Sequence, residues 1–113
     1  MEVINTTRQT SLGASIDRAD SSKTRSKGLL GRDSLPEGEG LWIVPCEAIH
    51  MFFMRFAIDA VYLDKQKRVV KVVSNLKPWR ISGSIKAHSV LEVPAGTAEL
   101  TQTQAGDQLE MRQ

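Results

Sequence analysis

Three ionisable residues interrupt segments of the sequence that are otherwise apolar: His50, Asp59 and Glu92. Burying such a group without a partner costs roughly 1–3 kcal/mol, so each must find a hydrogen bond, reach solvent or serve a site. A histidine that is oriented by a carboxylate can act as a general base. If the three residues converge in a cleft, they predict a small hydrolase-like centre. If they do not, they hold strands together, and we expect His50 to bond to backbone or to a carboxylate such as Glu92.

Cys46 precedes His50 by four residues and is a fourth candidate for catalysis. A cysteine nucleophile needs a nearby base and an electropositive setting, whereas a lone cysteine commonly packs as a small apolar residue. On a strand, four residues span roughly 13 Å, so both side chains cannot bind one ion unless the chain bends at Glu47 and Ala48. The sequence has no second cysteine and no H-E-x-x-H motif. We therefore expect neither a metal site nor a cofactor.

The segment K-P-W-R at 77–80 places a tryptophan between basic residues in a polar stretch. Such a tryptophan could stack on a sugar, a base or a peptide proline, or it could fold back as a lid over a sheet. We interpret this segment as a ligand-binding surface that faces solvent and is dispensable for folding. Its expected contributors are Lys77, Trp79, Arg80, Arg55 and His50. The partner would be a small molecule, a glycan or a peptide.

Composition restricts the function classes that remain. The chain has 113 residues, of which 41% are apolar and 25% are charged, as expected for one globular domain at 1–113. Its net charge of +2 argues against a nucleic-acid module, which usually carries a pronounced basic face. A single cysteine cannot form an intramolecular disulfide, and the segment M-E-V-I-N-T-T-R lacks the apolar region of a secretory signal. No apolar run is long enough to span a bilayer, so the cytoplasm is the expected compartment.

Apolar runs and turn residues predict a mainly β domain with one short helix near residues 17–31. Asp17 or Asp20 would cap this helix, and Gly31 would end it. Short strands are expected at 1–5, 10–16, 41–44, 49–54, 58–63, 68–73, 88–93, 97–102 and 108–111. No helices separate most of these strands, which favours an antiparallel sandwich or a partly open barrel.

Alternation along the predicted strands assigns side chains to faces. Asp59 should share a face with Val61, Glu92 with Val90, and His50 with Phe52. The residues expected in the core are Phe52, Met54, Ile58, Val61, Leu63, Val70, Val72, Leu91 and Val93.

Several motifs in fixed order resemble a known family of bacterial and archaeal proteins, the family of domain of unknown function 192. These motifs are G-L-L-G-R-D-S-L, C-E-A-I-H-M-F-F-M, I-D-A-V-Y-L-D, L-K-P-W-R, A-H-S-V-L-E-V-P-A-G and A-G-D, and they cover about residues 24–110. The positions that match the family pattern are Arg32, Leu35, His50, Met54, Asp59, Asp64, Glu92, Gly96 and Gly106.

The resemblance implies a mainly β domain of sandwich type with a short helix before Gly28, and it implies no established activity, substrate or cofactor. Relatives often carry an export signal or lipid anchor, which this sequence does not show. Members usually have glycine in the hairpin after L-D, where this chain has D-K-Q-K. The hairpin should therefore use another turn type, or hold Gln66 or Lys67 in a strained conformation.

Two functions remain from these observations. The first is a non-catalytic ligand-binding or accessory domain that uses the 77–80 segment and the face with His50. The alternative is a hydrolase-like enzyme built on His50 with Asp59 and Glu92. Convergence of the ionisable residues in an open cleft would favour the enzyme, and dispersal would favour the binding domain.

Overall fold

The computed structural model describes all 113 residues and contains ten strands and two helices. In chain order these are β1 (Glu2–Asn5), β2 (Thr10–Gly13), β3 (Ser15–Ala19), α1 (Ser22–Lys27), β4 (Glu39–Ile43), β5 (Ala48–His50), β6 (Ile58–Leu63), β7 (Val69–Leu76), β8 (Ile81–Gly83), β9 (Ser89–Pro94), α2 (Thr97–Leu100) and β10 (Leu109–Arg112).

A central five-stranded sheet with the order β3-β4-β9-β6-β7 carries the fold. β3 runs parallel to β4, and the other pairs are antiparallel. A three-stranded sheet, β10-β1-β2, and a two-stranded sheet, β5-β8, complete the domain. The structure confirms the mainly β prediction. The central sheet is mixed, and the sheets do not close into a barrel.

One face of the central sheet packs against the three-stranded sheet. Its apolar side chains form a cluster with Val3 of β1, Leu12 of β2 and Leu109 of β10. The central sheet contributes Ile16, Trp42, Val61, Leu63, Val69, Leu91 and Val93 to this cluster. This arrangement is a small sandwich, and we call this side of the central sheet the closed face.

The other side of the central sheet, which we call the pocket face, is covered mainly by irregular segments. Leu29 and Leu35, from the chain after α1, pack here with Met51 and Met54, which follow β5. The apolar residues of the central sheet on this side are Ala19, Leu41, Ile43, Ile58, Ala60, Tyr62, Leu76 and Val90. The six-residue α1 buries none of its own residues, and a pocket lies on this side.

The predicted helix lies within residues 17–31 but is confined to α1. Its N-cap is Ser21, whose side chain accepts a hydrogen bond from the Thr24 amide, in place of the expected Asp17 or Asp20. Asp17 belongs to β3, where Ile16 and Ala19 are buried and the backbone pairs with β4. Pairing with the central sheet therefore overrides the helical capping signal.

The predicted strand at 97–102 is wrong, because this segment forms α2. Gly96 precedes α2 with φ of 98°, a left-handed conformation that glycine adopts easily. The Asp59 carboxylate accepts hydrogen bonds from the amides of Gly96 and Ala98 at 3.1 and 2.8 Å. A distant carboxylate thus supplies the cap that the local sequence lacks.

Most of the predicted core is buried, but Phe52 is 40% exposed. The strand expected at 49–54 ends at His50, and Phe53 adopts φ of 65° in the turn that follows. That turn breaks the alternation on which the prediction relied, so Met51 is buried and Phe52 is not. Val70 and Val72 are half-buried.

The hairpin between β6 and β7 contains one of the two predicted strained residues. Lys67 has φ of 64°. The Asp64 side chain accepts hydrogen bonds from the amides of Gln66 and Arg68, both at 2.9 Å. These bonds hold a turn that contains no glycine.

Candidate functional site

A pocket of about 750 Å³ lies on the pocket face, between α1 with the residues after it and the chain around β5. Its apolar walls are formed by Leu29, Leu30, Ile43, Ile49, Met51 and Met54. Polar side chains that also line it include Arg25, Cys46, His50, His88 and Glu92. Three of the four sequence-predicted catalytic candidates therefore border one cavity.

Glu92 lies in the middle of β9, the central strand of the sheet, and is 5% exposed. Its backbone is held between Leu41 of β4 and Ala60 of β6. Burial raises the pKa of Glu92 to about 7, and no hydrogen bond or opposite charge offsets this effect. The carboxyl is therefore a buried polar group that lacks a partner and borders a pocket.

Cys46 lines the same pocket because the chain turns between Pro45 and β5. Its Sγ donates a hydrogen bond to the Ala48 carbonyl at 3.2 Å. Burial raises the pKa of the Cys46 thiol, so the protonated form is favoured. This environment is the opposite of that of a cysteine nucleophile, which needs a lowered pKa.

His50 is exposed and stacks on Phe52, with 4.9 Å between the ring centroids. No hydrogen bond joins its ring to Glu92. The prediction of a buried, structural His50 is therefore wrong. It depended on an extended strand through residue 54, and the turn after β5 leaves the His50 ring at the pocket mouth instead.

Asp59 is fully buried and lies away from the pocket. Its Oδ1 accepts a hydrogen bond from the Asn75 amide at 2.8 Å, and its Oδ2 accepts those from Gly96 and Ala98. As predicted, alternation along β6 places Asp59 on the same side as Val61, and alternation along β9 places Glu92 on the same side as Val90. These two sides are opposite faces of the sheet. The three ionisable residues therefore do not converge into one centre.

An aromatic cluster, consisting of His50, Phe52, Phe53 and Trp79, adjoins the pocket mouth. The Phe52 and Trp79 ring centroids are 6.0 Å apart, and those of Phe53 and Trp79 are 4.8 Å apart. Met51 joins the turn after β5 to the 77–80 segment. Its carbonyl accepts a hydrogen bond from the Trp79 amide at 2.8 Å, and its amide donates one to the Arg80 carbonyl at 2.7 Å. Phe53 and Trp79 are 73% and 59% exposed, so the cluster presents its rings to solvent.

The other residues expected in the ligand-binding surface are exposed but do not line the pocket. Lys77 and Arg80 lie on either side of Trp79 in the turn that joins β7 to β8. Arg55 forms an ion pair with Asp33 on the surface. His50 alone belongs both to the pocket lining and to the predicted surface.

Sequence reasoning missed Arg25 and His88 as pocket residues. The Arg25 Nε is buried without a partner, while its Nη1 donates to the Pro45 carbonyl at 3.3 Å. Arg25 lies in a basic helix and His88 begins a strand region, so neither has a local signal that distinguishes it from a surface residue. Only the packing of α1 against the chain around Pro45 brings Arg25 to the pocket.

No group of three or more His, Cys, Asp or Glu side chains is arranged to hold a metal ion. Neither helix has the length and apolar character that crossing a membrane requires.

The family model of DUF192, described as an uncharacterized ACR, matches residues 3–111. The chain belongs to the DUF192 family. A UPF0127 protein of Pyrococcus abyssi is 33% identical over 114 residues, a match that covers 96% of this chain and 95% of that protein. These relationships confirm the resemblance seen in the motifs and carry no established activity.

Two crystal structures share the fold. A protein of unknown function from Novosphingobium aromaticivorans superposes with a TM-score of 0.79 at 22% identity, covering 97% of this chain and 82% of that one. A Sinorhizobium meliloti protein, suggested to be a transcription regulator, gives 0.82 at 20% identity over 96% of this chain and 89% of that one. At these identities the likeness establishes the fold alone.

Proposed function

We propose that this DUF192 protein is a non-catalytic domain that binds a small organic ligand in the pocket on the pocket face. The observation that carries the proposal is the Glu92 carboxyl, which is 5% exposed, borders the pocket and has no partner within the protein. A buried polar group without a partner costs free energy, and such groups persist where a ligand supplies the missing interaction.

The composition of the pocket supports this proposal. Ligand sites are typically concave and mostly apolar, with few convergent polar groups that fix the orientation of the ligand. This pocket, of about 750 Å³, combines the apolar walls described above with Glu92 and Arg25, each of which offers an unpartnered polar atom.

The hydrolase-like alternative has less support. The Asp59 carboxylate already accepts hydrogen bonds from three backbone amides on the closed face. His50 makes no hydrogen bond to Glu92. A general base needs a partner that orients it, and a cysteine nucleophile needs its thiolate. Neither condition is met by His50 or by Cys46.

We assign the aromatic cluster to the outer part of the same site. A ligand that extends beyond the pocket mouth, whether a larger small molecule, a glycan or a short peptide, would stack on Trp79 and Phe53. Lys77 and Arg80, which are both exposed, add positive charge on either side of Trp79 along the chain. We also propose a cytoplasmic compartment, supported by the single, unpaired Cys46.

The test is a ligand screen by thermal shift, followed by NMR amide mapping of each hit. We expect hits to raise the melting temperature and to shift amides of pocket residues. Ser26→Trp, an exposed α1 position that lines the pocket, should fill it and abolish binding. Lys23→Trp, on the same helix but outside the pocket, is the matched control and should bind normally.

Three outcomes would overturn the proposal. Hits whose amide shifts lie outside the pocket would move the site elsewhere. Equal binding by Ser26→Trp and Lys23→Trp would show that the pocket is not occupied. Turnover of any hit by the wild-type protein, lost in a Cys46 or His50 variant, would restore the enzyme alternative.

A further inference from the structure

We propose that the ligand of the pocket is an amine: a protonated nitrogen on an apolar body, bound by the Glu92 carboxylate. This inference rests on the proposed function, because it names the chemical class that the same pocket accepts.

The position of Glu92 fixes where such an amine would bind. β9 lies between β4 and β6, so the Glu92 backbone is held on both sides and cannot easily withdraw. Its side chain leaves the sheet on the pocket face, beside the apolar cluster that contains Val90 and Ile43. The carboxyl is thus held at the pocket by the central strand of the five-stranded sheet, a strand in which five of six residues are buried.

The chemistry of the carboxyl selects the ligand group. An ionised carboxylate is an acceptor only, whereas an ammonium brings up to three N–H donors and the opposite charge. A hydroxyl brings one donor and no charge, and a ligand carboxylate would be repelled. Because the surroundings are apolar, the attraction between the two charges is stronger there than in water.

No cation of the protein competes for this position. Arg25 and Lys27 line the pocket from α1, but neither forms an ion pair with the Glu92 carboxyl. The other titratable side chains around the pocket are Cys46, Glu47, His50 and His88, with Tyr62 on the same face of the sheet. None of them forms an ion pair with Glu92, so a cationic group of a ligand would meet no competitor at this position.

The walls determine the rest of the ligand. Leu29, Leu30 and Ile49 line the same pocket as the carboxyl with aliphatic surface. Burial of an alkyl or aryl group against such walls contributes about 25 cal/mol for each Å² removed from water. A small hydrophilic amine would gain little from these walls, so we expect affinity to increase with the apolar body.

The experiment compares three molecules of equal chain length: hexylamine, hexanol and hexanoate. Dissociation constants are measured by NMR titration of the wild-type protein at pH 8. A charge-assisted hydrogen bond contributes about 1.5–3 kcal/mol, so hexylamine should bind at least about tenfold more tightly than hexanol. Hexanoate should bind most weakly. Lowering the pH to 6 should weaken hexylamine binding, because the carboxyl becomes protonated, and leave hexanol binding unchanged.

Glu92→Gln keeps the shape of the side chain and removes its charge. In this variant hexylamine and hexanol should bind within about twofold of each other, at the affinity that wild type has for hexanol. Glu99→Gln makes the same chemical change at an exposed position on α2, outside the pocket, and should retain the wild-type preference. Amide spectra of both variants report that the fold is intact.

The outcomes separate the two proposals. If none of the three molecules binds, both the pocket function and the amine class are wrong for ligands of this size. If hexanol or hexanoate binds in the pocket as tightly as hexylamine, the pocket is a binding site but its ligand is not an amine. If Glu92→Gln retains the preference for hexylamine, Glu92 is not the group that recognises it.

Discussion

Two buried carboxyl groups on adjacent strands, Asp59 and Glu92, have opposite environments. Asp59, on the closed face, accepts three backbone hydrogen bonds, between 2.8 and 3.1 Å. Glu92, on the pocket face, accepts none, and burial raises its pKa to about 7. A buried acid is therefore not a functional signal by itself. The difference lies in whether the fold supplies its partners.

A third buried acid follows the pattern of Asp59. Asp107, before β10, accepts hydrogen bonds from Asn5 Nδ2 at 2.9 Å, Arg8 Nε at 3.1 Å and the Gln104 amide at 3.1 Å. Burial alone would raise the pKa of Asp107, but these bonds together lower it. Among the buried acids, Glu92 is the one that the protein leaves without a partner.

The largest expected effect tests the closed face. Asp59→Ala leaves three backbone amides without an acceptor and should reduce the free energy of unfolding by about 3–5 kcal/mol, measured by urea denaturation. Asp59→Asn keeps one acceptor oxygen and should lose less. A loss below about 1 kcal/mol for the alanine variant would show that Asp59 does not hold α2 and β7 in place.

Adjacent residues at the pocket mouth should respond very differently to truncation. Met51 is 1% exposed, and Met51→Ala should cost about 2–5 kcal/mol through the cavity that it leaves. Phe52 is 40% exposed, and Phe52→Ala should cost less than about 1 kcal/mol. Denaturant melts of the two variants, run side by side, measure the difference. A reversed order would place Phe52 in the core, as the sequence alone had predicted.

Ionisation of the buried Glu92 carboxyl should lower the free energy of unfolding as the pH rises. Its pKa in the folded protein, about 7, exceeds the ordinary value of 4.5, so the folded state binds more protons between these values. Stability is therefore fully present below about pH 4.5 and is lost as the pH rises through about 7. Glu92→Gln removes this dependence, and at pH 8 it should be more stable than wild type by about 1–3 kcal/mol.

Melts at pH 5 and pH 8 check this prediction. The extra stability of Glu92→Gln over wild type should be smaller at pH 5 than at pH 8. Glu99→Gln should have the stability of wild type at both pH values. If Glu92→Gln is less stable than wild type at pH 8, the carboxylate has a partner in solution, and the contrast with Asp59 disappears.

The smallest effects on stability are expected in the aromatic cluster. Trp79 is 59% exposed and His50 is exposed, so Trp79→Ala and His50→Ala should each change the free energy of unfolding by less than about 0.5 kcal/mol. The same variants should weaken binding of any ligand that extends past the pocket mouth. Stability and affinity are measured on the same samples. A large destabilisation by Trp79→Ala would assign the cluster to folding.

The sequence by itself determined the β-rich character of the domain, because turn residues and β-branched runs act locally. It also determined the faces of Asp59 and Glu92, since alternation along a strand is set by backbone geometry. The motifs were sufficient to identify the family. These predictions depend on neighbouring residues along the chain, and the structure confirms them.

The tertiary structure decided which polar groups have partners. Asp59 meets the amides of Asn75 and Ala98, which are 16 and 39 residues away, and no local pattern encodes those contacts. The turn after β5 exposes Phe52 and His50 because Met51 bonds to the distant segment at Trp79 and Arg80. The pocket exists only where α1 packs near Glu92. Long-range pairing, which propensity and alternation do not specify, therefore created the candidate site.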